Sequence, residues 1–466
     1  MALSLPSNPD LERFRRDARR LQRAVRADEP EALALVAARH PDGVPTPAST
    51  FTLAGAQLVI ARSYGLASWP KLREFLRRSG PLRRDPSALS ADMAGADAAV
   101  AVPVLACLGY DENDDPARWG RAAQLLEQHP GLAAQALAVA AAAGVATAVR
   151  DHLAADPSSA GREVGPFRWP PLLYVAYSRM PQADAVASAR LLLEHGADPD
   201  SGYLWRGMPP PFTALTGCFG EGEMGPGRQP RHPRWRELAR LLLEHGADPN
   251  DRQTLYNRMF GRDDSHLRLL FDHGLGAPSS EVWAARTGVV GETVAEMMNR
   301  QLRWAHTHGF ADRLTLLAQH GFVLEPHVPG GPGAASRRAP RIHRAASAAA
   351  ISAAVASGAD VDARYHGRTA LHQAALMGDL EVIGALLEAG ADPAAVDREH
   401  GTTPLEWARW ARQDDAAELL QRRTTSADRA ADCASGHELP GEGGPMPRSA
   451  VRGPRPPHYG DAHDLP

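Results

Sequence analysis

The sequence is poor in the features that stabilise secreted and membrane proteins. It has three cysteines in 466 residues, Cys107, Cys218 and Cys433. They are too few and too scattered for a disulfide framework or a zinc site. No run approaches the roughly 20 apolar residues of a membrane-spanning helix, and residues 1–10 lack a charged start followed by an apolar segment. These absences predict a soluble, cytoplasmic protein.

Aromatic residues and lysine are also scarce. Aromatics make up 6% of the chain, and Lys71 is its one lysine among many arginines. Codon usage in a GC-rich genome accounts for such an arginine excess more readily than a function does. Few aromatics together with frequent alanine runs favour thin helices that pack through small side chains. A chain of this length is too long for one ordinary core, but stacked repeats need only bury surface between neighbours.

Patterns typical of catalytic sites are missing as well. The sequence contains no glycine-rich phosphate loop, no H-E-x-x-H, no G-x-S-x-G and no paired-cysteine metal pattern. It therefore predicts no catalytic residue, no metal site, no cofactor and no small-molecule substrate. An enzyme hidden in residues 276–300 or in the irregular loops stays open as a third hypothesis, ranked after two binding functions.

The most informative segment is residues 367–393, GRTALHQAALMGDLEVIGALLEAGADP. Thr369 stands where a helix begins and its hydroxyl can cap the first turn. Gly378 ends this helix, a second helix with leucines at helical spacing follows, and Gly390 supplies a left-handed residue that terminates it. The segment Thr369–His372 and the ending GADP resemble the corresponding parts of an ankyrin repeat. The resemblance implies helix-turn-helix units that stack and bind proteins.

The same pattern recurs along the chain. The ending LLLEHGADP occurs at Leu191–Pro199 and again at Leu241–Pro249, and looser endings fall at Gly274, Gly321 and Gly358. We therefore predict an all-α fold, an ankyrin-repeat solenoid of about eight or nine units over residues 97–423. Glycine and proline predict insertions at about 180–187, 220–234 and 327–340. Residues 424–466, rich in glycine, proline and charge, predict a disordered tail.

The first 84 residues differ from the rest. They carry a net charge of +7 against a total of −4, which leaves −11 for the remainder. Leu11, Phe14, Ala18, Leu21 and Val25 form an apolar seam on a helix otherwise covered by arginines. Further helices are predicted from Pro30 to about Arg39, over Leu53–Tyr64 and from Ser68 through Leu76. This stretch resembles a segment that precedes ankyrin repeats in some bacterial proteins, and the resemblance implies a helical module that caps the solenoid.

Resemblance to the family also implies where a partner binds. Residues that flank Ala374 and Ala375 line the concave groove of ankyrin repeats, and aligning the other units places large aromatics at the same two positions. The predicted partner-binding residues are Tyr174, Tyr177, Phe260, Trp304, Gln373, Leu376, Met377, Trp407 and Trp410. Tyrosine and tryptophan are common at interface hot spots. The alternative is that these aromatics pack locally against neighbouring repeats.

Histidines at the repeat ends and in the helix starts have a structural interpretation. His195 and His245 precede the terminal glycine, and His343 and His372 match the histidine of the family's turn, which hydrogen bonds within that turn. We expect none of them to bind a metal.

Two functions from different classes follow from these patterns. The first is a non-catalytic scaffold that binds an unknown protein or peptide through the concave groove. The alternative is an adaptor whose N-terminal arginines dock on nucleic acid or an anionic membrane surface. Glu12, Asp17 and Asp28 interrupt the positive charge, so a solvated helix face is the simpler interpretation of the arginines.

Overall fold

A computed structural model describes residues 5–90, 93, 95–278, 282–288, 292–323, 341–345, 347–398 and 400–435. Helix accounts for 59% of the structure and strand for 4%, which confirms the predicted all-α fold class. The chain divides into two compact units. Unit 1 comprises Met1–Phe219, His232–Leu255 and Leu267–Met297, and unit 2 comprises Gly220–Arg231, Tyr256–His266 and Met298–Pro466.

Short helices succeed one another along both units, and three very short strands accompany them in unit 1. The α-helices are α1 (Leu11–Arg26), α2 (Pro30–Arg39), α3 (Leu53–Ser63), α4 (Trp69–Ser79), α5 (Ser87–Ser90), α6 (Ala98–Ala106), α7 (Pro116–Gln128), α8 (Leu132–Gln135), α9 (Leu137–Ala142), α10 (Ala146–Ala155), α11 (Pro171–Tyr177), α12 (Ala185–Glu194), α13 (Ala214–Phe219), α14 (Gly225–Arg228), α15 (Trp235–Glu244), α16 (Arg252–Arg258), α17 (Ser265–Asp272), α18 (Val282–Thr287), α19 (Val294–His308), α20 (Ala311–Gln319), α21 (Ala348–Ala356), α22 (Ala370–Met377), α23 (Leu380–Glu388), α24 (Pro404–Trp410) and α25 (Asp414–Ser435). Short 3-10 helices lie at Ala48–Thr50, Gly80–Leu82, Pro157–Ala160 and Arg341–Arg344, and the strands are β1 (Arg83–Arg84), β2 (Gly202–Trp205) and β3 (Phe212–Thr213).

The N-terminal helices α1 to α4 form where the sequence predicts them. The apolar seam of α1 is buried from Phe14 to Val25, and it packs on α3. Asp10 caps α1 through its carboxylate, and Ser68 caps α4 through its hydroxyl. A cluster of buried side chains that runs from Phe14 to Leu72 gives these helices a core of their own.

Residues 83–84 join these helices to the rest of unit 1. Strand β1 pairs in parallel with β2, with Arg83 opposite Leu204, and α4 contacts α18. Arg78 donates to the Ala285 carbonyl at 2.9 Å. The predicted domain boundary at residue 84 therefore falls at the end of a paired strand, inside one compact unit.

A small three-stranded sheet in unit 1 was not predicted from the sequence. Its order is β1-β2-β3, with β2 and β3 antiparallel. Gly202 permits the close approach of this hairpin to its surroundings, since a Cβ atom there would lie 2.7 Å from the Trp283 ring and 2.8 Å from the Phe212 carbonyl oxygen. Strands of two to four residues are too short to show clearly the alternation by which a strand is recognised in a sequence.

Helix pairs stack in two layers within each unit. In unit 1, α9, α11 and α13 contact one another in succession, and so do α10, α12 and α15. In unit 2, α22 packs on α24 while α23 packs on both α21 and α25. Each repeat thus buries its apolar side chains against its neighbours, as stacked repeats must.

The predicted repeat ends share one backbone geometry. The glycines there all have φ between 82° and 96°, at Gly196, Gly246, Gly274, Gly321, Gly358 and Gly390. After each glycine the next N–H donates to the carbonyl five residues back, as from Ala391 to Leu386 at 2.9 Å. This left-handed helix end requires φ > 0, which glycine adopts without strain. The helix ends predicted at these glycines are confirmed.

The predicted insertions and tail fall differently in the structure. Helix α12 begins at Ala185, so the first insertion ends before residue 187. Residues 220–231 form a segment that contains the short helix α14 and belongs to unit 2. Helix α25 continues past the predicted end of the repeats at Arg423 to Ser435, which corrects the predicted start of the tail. The predicted insertion at 327–340 and tail residues 436–466 lie outside the described residues.

Candidate partner-binding surface

The last complete repeat is organised by Thr369 and His372 at the start of α22. The Thr369 hydroxyl lies 2.8 Å from His372 Nδ1, and the Thr369 N–H donates to the same nitrogen at 3.3 Å. His372 Nε2 then lies 3.0 Å from the Thr402 carbonyl of the next hairpin. Desolvation by burial lowers the pKa of His372, so the neutral ring with its proton on Nε2 satisfies all these bonds. The histidine links one repeat to the next.

Helix α24 begins with a reciprocal cap and holds Trp407 inside. Thr403 and Glu406 each bond to the other's backbone N–H. Trp407 is only 3% exposed, and its Nε1 donates to Thr402 Oγ1 at 2.9 Å and to Asp397 Oδ2 at 3.1 Å. Burial alone raises the pKa of Asp397, but hydrogen bonds from Thr402, His400 and Trp407 outweigh it and hold this pKa below its usual range. Trp407 therefore anchors the turn between two repeats.

Tyr174 and Tyr177 are fully buried in unit 1. The Tyr174 hydroxyl donates to the Val164 carbonyl at 2.9 Å, and the Tyr177 hydroxyl donates to the Thr213 carbonyl at 2.9 Å. Both rings lie about 5 Å from that of Trp169. Burial raises the pKa of each tyrosine. These two residues fix neighbouring hairpins to α11.

Phe260 and Trp304 also lie inside, in unit 2. Their rings meet edge to face with centroids 5.1 Å apart, and Trp304 stacks on His308 at 3.9 Å. Together with Met259 they form a buried cluster against which Met377 packs.

The structure therefore separates the nine predicted contact residues into two groups. Buried within their own unit are Tyr174, Tyr177, Phe260, Trp304, Leu376 and Trp407. Partly exposed are Gln373, Met377 and Trp410. The sequence predicted that the residues of the first group line an open groove. The structure instead buries them against neighbouring side chains of their own unit. A large ring on the inner helix of a repeat reaches the adjacent hairpin and is buried there, which was the alternative interpretation of the pattern.

A segment within the insertion predicted at about 220–234 lies against the last two repeats. In this segment, Gly220–Arg231, the base is held by buried charges of unit 2. Glu221 pairs with Arg258, which is 1% exposed, and lies 3.5 Å from Arg231. The Glu221 N–H also donates to the Gln229 carbonyl at 2.6 Å, which closes the segment into a loop. Removing one partner of such a buried ion pair lowers the free energy of unfolding by about 3–5 kcal/mol.

The tip of this segment, residues 223–228, contacts helices α22 and α24. Arg228 lies over the Trp410 ring at 5.1 Å, and its Nε donates to the Trp410 carbonyl. A Cβ atom on Gly225 would lie 3.1 Å from the Leu376 carbonyl oxygen, and one on Gly227 would lie 2.3 Å from the Ala411 carbonyl oxygen. The two glycines thus allow the chain to approach the ends of these helices closely. Arg228 is the contact residue that the sequence analysis missed, because its partner lies 182 residues away.

Hairpin tips of unit 2 are exposed. Val396 is 47% exposed and lies on the hairpin between α23 and α24. Arg364, on the preceding hairpin, is exposed and donates to the Val396 carbonyl at 2.6 Å. Arg398 is exposed near the same tip. The apolar side chain of Val396 is thus exposed to water, while its backbone carbonyl is fixed by Arg364. Two arginines, Arg364 and Arg398, lie on the same or the neighbouring hairpin.

Exposed arginines cover the outer face of α1. Arg16, Arg19 and Arg23 are exposed, while Arg26 is tied to the Phe51 carbonyl at 3.0 Å. Arg20 lies 3.6 Å from Asp17, which offsets part of its charge. This face presents positive charge without an aromatic side chain for base stacking.

The histidines of the repeat ends cap their own helices. His195 and His245 Nδ1 each lie 2.8 Å from the carbonyl four residues earlier. His343 differs, because its Nε2 lies 2.7 Å from the Ala363 carbonyl of the following hairpin. Across the described part of the chain, His, Cys, Asp and Glu form no group of three that could hold a metal ion. No helix within the described ranges is long and apolar enough to cross a membrane.

A buried carboxyl group of unit 1 with a raised pKa has a structural role. Asp114 is fully buried, and burial raises its pKa to about 6. Its carboxylate accepts from the Gly109 and Tyr110 N–H groups at 2.8 and 2.9 Å and from Arg118 at 2.9 Å. These bonds close the loop between α6 and α7.

Comparison with known proteins agrees with the repeat geometry. Residues 342–429 match the family model described as ankyrin repeats in three copies. The crystal structure of the human ASB11 ankyrin repeat domain is similar at 20% identity, over 51% of this chain and 92% of that chain, with a TM-score of 0.21. The family match and the capped helix pairs coincide over residues 342–429, so this part of the chain consists of ankyrin repeats.

Proposed function

We propose that this chain is a non-catalytic scaffold that binds a protein partner at the exposed surface of its C-terminal repeats. Ankyrin repeats in general are protein–protein interaction modules. The observation that carries the proposal is the hairpin tip at Val396, where an exposed apolar side chain stands on a backbone fixed by Arg364. A preorganised apolar contact loses little entropy on binding.

Charge defines the complementary chemistry of this partner. Arg364 and Arg398 flank Val396, so a partner with an apolar side chain beside carboxylates fits the tip. Of the predicted groove residues, Gln373, Met377 and Trp410 are partly exposed, and we propose that the partner contacts them as well. The cytoplasm is the proposed location, since the buried Cys107 and Cys218 are both free thiols.

The test compares two exposed apolar positions in the same repeat region. Partners are captured from the native cell with the tagged full chain and identified by mass spectrometry. Val396→Asp should then reduce capture of the leading partner at least tenfold. Leu380→Asp is the matched control, because Leu380 is 43% exposed but begins the second helix α23. Equal capture by both variants and the parent would remove this hairpin from the binding surface.

A second candidate function is favoured by the exposed arginines of α1. Arg16, Arg19 and Arg23 present three positive charges on one helix, which suits a nucleic-acid backbone or an anionic membrane surface. Under this proposal the module docks while the repeats hold a protein. The two candidates differ in their dependence on salt.

A further inference from the structure

The tip of segment Gly220–Arg231 lies against α22 and against the end of α24, the first helices of the last two helix pairs. Its Arg228 guanidinium covers the Trp410 ring and donates to the Trp410 carbonyl. Gly225 approaches the Leu376 carbonyl. Leu376 and Trp410 are two of the residues at which the family resemblance places a partner. The chain thus occupies part of its own expected binding face.

We infer that the surface around Trp410 is a recognition site for an arginine presented on a glycine-rich turn, and that residues 223–228 act as its internal ligand. This inference rests on the proposed function and specifies the chemistry of one partner contact. A protein that binds at this surface must carry the same features, an arginine for the ring and carbonyl of Trp410 and small residues for the close approach. It competes with the chain's own turn.

The contacts of the site explain why an arginine is selected. An aromatic face and a carbonyl at the C-terminal end of a helix both attract a cation. The planar guanidinium satisfies both at once, by stacking on the ring and donating through Nε, whereas a lysine ammonium is a compact point charge. Arg228 is 8% exposed, so these contacts are largely desolvated.

Small residues are required on both sides of Pro226. A Cβ atom on Gly227 would lie 2.3 Å from the Ala411 carbonyl oxygen and 2.6 Å from that of Arg412, and both are backbone atoms that cannot move aside cheaply. Gly225 has φ 77°, a conformation that side chains disfavour. The sequence Gly225–Arg228, GPGR, is therefore matched to the site residue by residue.

The tip and the base of the segment are held by different groups. The base is fixed by the buried pair of Glu221 with Arg258, whereas Arg228 and the glycines fix residues 225–228 to α22 and α24. Glu223 at the start of the tip accepts from the Tyr256 hydroxyl at 2.6 Å. Displacement of residues 225–228 from Trp410 therefore breaks none of the contacts that hold Glu221, which is what a displaceable internal ligand requires.

The inference is tested with a labelled peptide of residues 222–229, GEMGPGRQ, added to the full chain. A tethered turn competes at an effective concentration on the order of millimolar, so the parent should bind this peptide weakly. Gly227→Val in the chain prevents docking of the tip and should increase peptide affinity at least tenfold in fluorescence anisotropy. Arg228→Ala opens the site without a clash and should act in the same direction.

Two controls keep the result specific to the site. A peptide with alanine in place of arginine should bind neither variant, and adding Trp410→Ala to the Gly227→Val chain should abolish binding, with the helical signal retained in circular dichroism. Equal affinity of the parent and the two opened chains, or no binding to either opened chain, would overturn the inference. If Gly227→Val does not fold, the Arg228→Ala chain decides alone.

Competition separates this inference from the proposed function. The peptide should displace the partner captured through the repeats, and the Arg228→Ala chain should capture that partner more strongly than the parent does. Capture that the peptide does not affect would overturn the inference while the scaffold function stands. Absence of any captured partner would contradict the function, whereas the peptide result would still stand on its own.

Discussion

At the scale of the residue, Trp407 and Trp410 show how position on one short helix divides aromatic side chains between fold and surface. Trp407 is buried and bonded through Nε1 to Thr402 and Asp397. Trp410, three residues later, stays partly exposed and carries Arg228 on its ring. The sequence predicted that both line the groove, because they align with the two positions that flank Ala374 and Ala375 in the preceding repeat. The difference arises because only Trp407 reaches the hairpin that precedes α24.

Replacing Trp407 with alanine should destabilise the C-terminal repeats. The change deletes a buried indole and leaves Asp397 without one donor, which we expect to cost about 3–5 kcal/mol. Trp410→Ala should cost clearly less, since it removes a partly exposed ring. Urea unfolding followed by circular dichroism measures both. A Trp407→Ala chain as stable as the parent would contradict the anchoring role given to this residue.

At the scale of the element, the repeats are defined by their ends. Glycines with left-handed backbone end helices in both units. Within unit 2, His343 and His372 each connect the start of one repeat to the hairpin of the next. Each histidine is largely withdrawn from water. The connection between neighbouring repeats therefore depends on hydrogen bonds of histidine rings that are neutral in the folded state.

Sequence predicted these elements where the deciding interactions are local. The α1 seam from Leu11 to Val25 and the φ > 0 glycines follow from contacts within about five residues, which periodicity and glycine spacing reveal. Arg228 bonds to Trp410 across 182 residues, and β1 pairs with a strand more than a hundred residues away. No local pattern encodes such pairings, so the contacts of residues 225–228 with α22 and α24 could not be predicted.

Buried histidines of unit 2 make the stability of the C-terminal repeats depend on pH. Burial lowers the pKa of His343 and of His308 to about 4, below the value near 6.5 of an unfolded chain. The unfolded state therefore binds protons first as the pH falls, and stability is lost between about pH 6.5 and 4. We expect His343 to contribute about 3 kcal/mol to the free energy of unfolding at neutral pH, and this contribution to be lost as the pH falls to 4.

Thermal unfolding at several pH values measures this loss. His343→Gln keeps a donor for the Ala363 carbonyl but cannot titrate, so its melting temperature should fall less between pH 6.5 and 4 than that of the parent. An identical pH dependence in the variant and the parent would show that this ring does not stay neutral in the folded state.

At the scale of the whole molecule, charge is divided along the sequence. Residues 1–84 carry +7 while the remainder carries −11. The exposed arginines of α1 contribute to the first value. Such a division favours long-range attraction to an acidic surface, whereas an apolar hairpin contact is short-ranged. The two proposed modes of binding therefore respond differently to salt.

Charge reversal on α1 should distinguish these modes. The triple variant Arg16→Glu, Arg19→Glu and Arg23→Glu changes the net charge by −6 without touching the buried seam, so the helix should still fold. If the module docks on nucleic acid or an anionic membrane, binding of the parent to duplex DNA or to phosphatidylserine vesicles should weaken steeply with ionic strength, and the variant should lose it. Protein capture through Val396 should be nearly the same for both chains and nearly independent of salt. Loss of that capture in the variant, with DNA and vesicle binding absent from both chains, would instead assign the arginines to the protein interface.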